Sequence, residues 1–457
     1  MRTKKLLMEL ALQIFQFILS ISILVVLHEL GHFLPAKWFK TKVEKFYLFF
    51  DPWFSLVKKK IGGTEYGIGW LPFGGYVKIA GMVDESMDTE QLKTPPQPWE
   101  FRSKPAWQRL IIMLGGVTVN FFLAWFIYSC LSYFNGENYT DLNKFQNGVG
   151  VSEAGRKMGF QNGDKILAVD GKKAERLENA SLDILFSNDV TVLRNGQEIT
   201  FPVQEEGVGE VIRQREAKLY LMPRYPVIVD SLATPASQSS GLQKGDKILA
   251  VNGKPVKFFD EFSGELDRSK NQRITLTVDR NGQQQQLQNV AVDQNGKLGI
   301  ALDLGGLQGI ATNKKYSVIE AIPRGFTRTI ESLTTQIKQF RIIFNSKIQG
   351  YKNVGGPIAI VKMMPVQKSE KGDLSINWPA FWSFTAMFSV WLAFLNLIPI
   401  PGLDGGHVMF TLWEMITGKP VPQKILEHAQ MIGVIFLLGL MLLIFGNDIF
   451  KLITGKL

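Results

Sequence analysis

The chain has 457 residues, 46% of them hydrophobic and 20% charged, with a formal net charge of +10. The length allows several domains, and the single cysteine, Cys130, excludes an intrachain disulfide. The positive balance comes without a concentrated basic tract or a nucleic-acid recognition motif, so membrane-surface lysines account for it and nucleic acid is not an expected partner.

Leu6 to Phe33 is long enough to span a bilayer, which takes about 20 apolar residues, although Glu9, Gln13 and Gln16 interrupt its first half. No small-residue cleavage site follows, so the segment reads as an anchor rather than a removed leader. It ends in Val25-Val26-Leu27-His28-Glu29-Leu30-Gly31-His32-Phe33. On a helix His28 and His32 share a face, where two imidazoles can hold one zinc ion. Glu29 beside them can take a proton from a water whose pKa the metal lowers to roughly 7. Two packed histidines on an apolar helix are the plainer reading. Ionisable groups at membrane depth are costly and usually functional, which favours the site.

Lys37 to Arg109 is a polar connection carrying Lys37, Lys40, Lys42, Lys45, Lys58, Lys59 and Lys60. The positive-inside rule places it in the cytoplasm, against the pull of Lys4 and Lys5. Within it, Gly67 to Lys78 is apolar, glycine-rich and too short to span. It reads as a hairpin dipping toward the membrane with its glycines at the turn, and an ordinary surface hairpin fits the same pattern. Leu110 to Tyr133 is the second span. Its Gly115 and Gly116 allow close helix contact, and Asn120 needs a partner, either a neighbouring helix or a substrate backbone.

Residues 147 to about 305 are soluble in character and contain a repeat. Gly159-Phe-Gln-Asn-Gly-Asp-Lys-Ile-Leu-Ala-Val-Asp-Gly171 recurs 82 residues on as Gly241-Leu-Gln-Lys-Gly-Asp-Lys-Ile-Leu-Ala-Val-Asn-Gly253, and Arg194-Asn195-Gly196 recurs 86 residues on as Arg280-Asn281-Gly282. Short β-branched runs between such turns indicate two small mixed β domains. The block resembles the PDZ signature, and PDZ domains take extended peptides as an added strand. Simple spacers are the alternative.

Ser317 to Phe344 has helical spacing, with Arg324, Arg328, Lys338 and Arg341 among apolar positions. A helix on the membrane surface and a helix packed on the β domains fit equally well. Trp378 to Pro401 is the third span, and residues 431 to 449 form the fourth. Pro399 and Pro401 break the helix ahead of Asp404, which is then expected in irregular backbone as a third zinc ligand or as a turn residue. A site of three histidines would instead need His407 or His428.

His28-Glu29-x-x-His32 in the first span and Asn396…Leu403-Asp404-Gly405 near the third resemble the site-2 intramembrane metalloproteases. Tandem PDZ-like repeats between spans two and three, with Phe73-Gly-Gly-Tyr-Val-Lys78 and Gly355-Gly-Pro357, are similar to the regulator-of-sigma-E branch of that family in Gram-negative bacteria. The resemblance implies His28, His32 and Asp404 as zinc ligands and Glu29 as general base. It also implies substrate-binding roles for Asn396, Asn120, Gly116, Gly74 and Gly75. It implies an inner-membrane location with the PDZ-like domains in the periplasm and the active site near the cytoplasmic side. The implied substrate is a single-span membrane protein, an anti-sigma factor in envelope-stress signalling, with remnant signal peptides a further class. Leu298-Gly299-Ile300 stands where a peptide-carboxylate loop of the second PDZ-like domain is expected. The first has Leu219-Tyr220-Leu221 there, and Tyr220 lacks glycine's backbone freedom.

The expected architecture is a multi-domain α-helical membrane protein with four transmembrane helices and two inserted mixed α/β PDZ-like domains. Its parts are a first helix 1–34 with the histidine motif, a cytoplasmic loop 35–106, a second helix 107–134, and PDZ-like domains 135–223 and 224–307. An amphipathic region 308–377, a third helix 378–406 and a fourth helix with the C-terminus 407–457 follow. Besides an intramembrane zinc endopeptidase acting within the lipid bilayer, two rivals fit parts of the pattern. One is a PDZ-bearing membrane adaptor with an inert metal site. The other is a membrane zinc enzyme acting on lipid or a small molecule, which leaves the paired peptide-binding domains without a purpose.

Overall fold

A computed structural model describes residues 2–82, 94–214, 220–343, 355–369 and 373–454. The described residues form two compact units, one drawn from 1–136, 315–336 and 354–457 and the other from 137–314 and 337–353. Among the described residues, four helices are long and apolar enough to cross a membrane: Lys5–Trp38, Ala106–Asn135, Trp378–Leu397 and Gln423–Ile453.

Helix α1 (Arg2–Trp38) carries the histidine motif, and α2 (Ala106–Asn135) crosses it at backbone contact. A Cβ on Gly31 would lie 2.4 Å from the Gly115 carbonyl oxygen, and one on Gly115 1.9 Å from that of Gly31. Only glycine pairs let two helices approach so closely. Between them in sequence, β1 (Val43–Ile61) and β2 (Thr64–Ile79) pair as an antiparallel hairpin. Its turn is Gly62-Gly63, both at positive φ. The glycine-rich stretch 67–78, expected around the turn, instead runs along β2. Residues 45–48 are matched twice, to 75–78 on one side and to 65–68 on the other, while 55–61 pairs with 64–69. Each long strand therefore folds into two segments, and 71–79 and 55–61 form the outer edges. The glycines make room: a Cβ on Gly67 would strike the Tyr47 ring at 2.3 Å, and one on Gly75 would lie 2.6 Å from Val25 Cγ1 of α1.

The second unit contains two copies of one module. The first is built from β4 (Val149–Val151), α3 (Glu153–Lys157), β5 (Lys165–Val169), β6 (Lys172–Lys173), α4 (Leu177–Ile184), β7 (Asp189–Arg194), β8 (Gln197–Pro202), α5 (Glu205–Gln214) and β9 (Leu221–Pro223). Ahead of it, β3 (Glu137–Thr140) pairs with β16 (Ala311–Lys314), where the chain leaves the unit. The second module is built from β10 (Val229–Leu232), α6 (Pro235–Gln238), β11 (Lys247–Val251), β12 (Lys254–Pro255), α7 (Phe259–Arg268), β13 (Arg273–Arg280), β14 (Gln283–Ala291) and β15 (Ile300–Leu302), with the short α8 (Gly305–Gln308) after it. The sheet orders match: β6-β5-β7-β8 beside the pair β4-β9, and β12-β11-β13-β14 beside the pair β10-β15.

Both repeated sequence blocks have one structural use. Arg194 holds the fully buried Asp164 through two bonds of 2.8 Å, and Arg280 holds the fully buried Asp246 through two of 2.7 Å. Each arginine also donates to the first glycine of its block, Gly159 or Gly241. The Asn-Gly pairs at 195–196 and 281–282 sit at positive φ, as tight hairpin turns require. Tyr220 and Gly299 occupy matching places, since Ser152 N–H donates to the Tyr220 carbonyl and Ala233 N–H to that of Gly299. Gly299 has φ +68. Tyr220 does not adopt that conformation; its fully buried side chain donates to the Ser181 carbonyl of α4 at 2.7 Å. Leu219 lies outside the described residues. Arg224, between the modules, bonds Asp260 and Glu261 of α7.

After the second unit come α9 (Val318–Ile343), α10 (Pro357–Lys362), β17 (Val366–Lys368), β18 (Leu374–Ile376), α11 (Trp378–Leu397), α12 (Asp404–Thr417) and α13 (Gln423–Ile453). The part of α9 before residue 337 packs on α2. A Cβ on Gly325 would lie 2.1 Å from Ser129 Oγ, Trp125 Nε1 donates to the Ile322 carbonyl, and the Arg328 guanidinium lies 4.6 Å from the Tyr128 ring centre. Two of the polar residues that interrupt the first span have partners on other segments. Gln13 donates to the Lys362 and Met364 carbonyls, and Glu9 pairs with Lys368 at 3.0 Å. On the other side of α10, the buried Asp448 of α13 accepts the N–H groups of Gly356, Ile358 and Ala359. The third long helix stops at Leu397, short of the expected 406. Asp404 is not in irregular backbone: it opens α12, in a first turn that follows the non-helical segment 398–403.

Candidate metal centre

The three side chains come from two places. His28 and His32 are one turn apart on α1, and Asp404 enters from the start of α12. Asp404 Oδ2 lies 3.3 Å from His28 Nε2 and 3.2 Å from His32 Nε2, and the two Nε2 atoms are 3.3 Å apart. Both histidines are buried. His32 Nδ1 stands 2.8 Å from the Ile112 carbonyl of α2, which can only accept. Nδ1 therefore carries the proton and Nε2 presents a lone pair. A ligating His28 Nε2 likewise leaves Nδ1–H needing an acceptor; Asn120 Nδ2 lies 3.1 Å from Nδ1, and turning that amide over brings its oxygen, which has no other partner among the described residues, to the ring. Two nitrogen lone pairs and a carboxylate oxygen then converge in a buried space. Asp404 Oδ2 has no hydrogen-bond partner among the described residues. Such a set repels itself unless a cation sits among it, and two histidines with one carboxylate is a typical catalytic zinc donor set. Among the described residues this is the group whose donor atoms are close enough to hold a metal ion.

The surroundings hold the rings in place. A Cβ on Gly116 would lie 2.4 Å from His32 Nε2 and 2.6 Å from His28 Cε1, so α2 offers the rings bare backbone there. Asn120 is fully buried, and Ser389 of α11 donates to its carbonyl at 2.7 Å. Both residues, expected to hold substrate, thus face the histidines. Asn396, on the last turn of α11, has its amide nitrogen 3.1 Å from His28 Nε2 and so borders the centre. The backbone of Val77, in the outer segment of the hairpin, bonds the Glu29 carboxylate. Gly74, at φ +134, and Gly75 lie just before it on that segment. Leu298, Gly299 and Ile300 belong to the second module. His407, one turn further along α12, is outside the ligand group, and so is His428, whose ring bonds the Lys424 carbonyl. The sequence pattern did not reveal Ile112 and Ser389, because a main-chain acceptor and a serine on other helices carry no local signal.

A family model described as Peptidase family M50 matches residues 16–440. The chain belongs to peptidase family M50, the site-2 proteases. A "Putative zinc metalloprotease" of Neisseria meningitidis is 28% identical over 458 residues, covering 96% of this chain and 98% of that protein. The "Regulator of sigma E protease" of Haemophilus influenzae is 27% identical over 462 residues, covering 95% and 98%. A further "Putative zinc metalloprotease", from Vibrio cholerae, is 27% identical over 461 residues. As a member of the M50 family the chain is a membrane zinc metalloprotease, and its candidate ligands are His28, His32 and Asp404.

Proposed function

We propose that this M50 protease cuts a single transmembrane segment of another protein, with Glu29 as general base. The observation that carries this is the convergence of His28 and His32, on the apolar helix α1, with Asp404 from the start of α12, and Glu29 stands next in sequence to the first ligand. His28, His32 and Asp404 would hold a zinc ion, which would supply Lewis acidity to the scissile carbonyl and to a water. Glu29 takes the proton from that water and returns it to the leaving amide nitrogen. The Ile112 carbonyl fixes the His32 tautomer, the Asn120 amide abuts the His28 ring, and Gly116 leaves the rings room. A substrate helix has its backbone bonded internally and must unwind before cleavage. The outer hairpin segment with Gly74 and Gly75 offers main-chain groups beside Glu29, where an unwound stretch can add as a strand. Asn396 stands beside His28 and can hold a substrate carbonyl.

The two repeated modules act as PDZ-like domains in this reading. The second keeps the glycine loop Leu298-Gly299-Ile300 at the start of β15, which suits a peptide carboxylate; the buried Tyr220 disfavours that role in the first. Lys37 to Lys60 places the hairpin in the cytoplasm, hence the modules in the periplasm of an inner-membrane protein. The relative in Haemophilus influenzae is named for sigma E, so an anti-sigma factor is the proposed natural substrate. Incubating detergent-purified protein with a tagged single-span peptide should give a cut inside the span that a zinc chelator abolishes. No cut, or a cut outside the span, contradicts the proposal. A cysteine placed near Gly196 should react with an impermeant thiol reagent in spheroplasts while one near Glu90 stays unreactive; the reverse inverts the topology.

A further inference from the structure

Gln430 lies in the apolar helix α13 and is 5% exposed. A glutamine buried at that depth is costly without a partner. Its Oε1 accepts the Gly402 N–H at 3.1 Å. Gly402 belongs to segment 398–403, the stretch that leads into Asp404. Backbone outside a helix at membrane depth must find its partners within the protein. Ile400 donates to Ile398 and Leu403 to Ile400, Pro399 and Pro401 have no N–H, and the Gly402 N–H goes to Gln430.

The same segment is pressed against α13 one turn further on. A Cβ on Gly433 would lie 1.6 Å from the Pro401 carbonyl oxygen, and Gly402 itself is at φ +101. On its other side a Cβ on Gly405 would lie 2.2 Å from the Ile398 carbonyl oxygen. The entry to α12 thus has no slack, and one side-chain hydrogen bond fixes it to α13. Two residues beyond that bond is Asp404, whose carboxylate must reach both histidines.

We propose that Gln430 is a positioning residue for the metal centre: its amide oxygen holds the Gly402 backbone so that Asp404 meets His28 and His32. It touches no ligand, and its role rests on the zinc reading of those three residues. The test uses the purified full chain with Gln430→Met, which keeps length but has no strong acceptor, and Gln430→Glu, which keeps an acceptor oxygen. Zinc affinity is measured by competition with a chelator, without substrate, and cleavage separately. The Met variant should bind zinc about 10-fold more weakly, as outer-shell losses do, and cleave more slowly, while the Glu variant stays close to the parent. Parent-like zinc binding in the Met variant overturns the proposal. Equal losses in both variants also overturn it, because they mark Gln430 as a filler of space. Zinc binding by the parent in the same titration checks the metal reading on its own.

Discussion

Gly116→Ala separates the metal centre from the stability of the fold. The added methyl would stand 2.4 Å from His32 Nε2, 2.6 Å from His28 Cε1 and 2.8 Å from His28 Nδ1. His32 Nε2 must retreat by about 1 Å to reach ordinary contact, and it cannot swing freely because Nδ1 is bonded to the Ile112 carbonyl at 2.8 Å. A misplacement of about 1 Å in a catalytic group costs about 100-fold in rate. Alanine, however, favours a helix interior over glycine by about 1 kcal/mol. The variant should therefore fold as well as the parent while losing zinc affinity and at least about 100-fold in cleavage rate. Thermal unfolding, zinc titration and the single-span cleavage assay on the same preparation decide this. Parent-like zinc affinity and rate would refute the claim that bare backbone at Gly116 seats the rings.

Three further outcomes follow from particular contacts. Asp404→Ala should empty the zinc site and abolish cleavage, whereas His407→Ala keeps the metal and much of the activity; metal analysis showing the opposite would reassign the third ligand. Asp448→Ala leaves three backbone N–H groups without their acceptor and should cost about 3 kcal/mol in unfolding free energy; a loss too small to measure would sink the view that α10 is anchored there. Burial raises the Asp246 carboxyl, but Arg280 and the Gln243 N–H outweigh it and hold it below the usual range. Its stabilisation of the second module is thus fully present above the unfolded value of about 3.9 and is lost as pH falls through the lowered folded value. Arg280→Ala removes the main opposing cause, so acid unfolding should begin at higher pH, with about 3 kcal/mol lost at neutrality; an unchanged acid profile would contradict this.

How much of this was legible in the sequence depends on how local each signal is. The spacing of His28 and His32, the four apolar runs and the duplicated Gly-Asp and Arg-Asn-Gly blocks are read within one element or by self-comparison. The sequence suggests a hairpin within residues 67–78, because Gly67, Gly74 and Gly75 look like turn residues; that stretch is instead part of one strand of a longer hairpin that turns at Gly62-Gly63. Gly67 and Gly75 instead make space for Tyr47 and Val25, which a linear pattern does not reveal. Pro399 and Pro401 marked the end of a helix, yet gave no sign that a new one starts at Asp404. Glu9 and Gln13 stand out as polar interruptions of an apolar run, but their partners lie on distant segments, and the roles of Gln430 and Asp448 rest on equally distant partners that the sequence does not signal. The same distance hides the contact of Gly31 with Gly115. Periodicity leaves the side of α9 open between the membrane surface and the β domains; before residue 337 the helix packs on α2, with Gly325 against Ser129.

Glu29 is the residue on which the account turns, because it touches neither histidine ring as a ligand and yet is assigned the proton transfer. The decisive measurement is on Glu29→Gln, purified with the parent, assayed for zinc content and for cleavage of the tagged single-span peptide. The variant should keep a full complement of zinc and cut about 10²- to 10⁴-fold more slowly. Cleavage at the parent's rate, with zinc retained, would contradict the account.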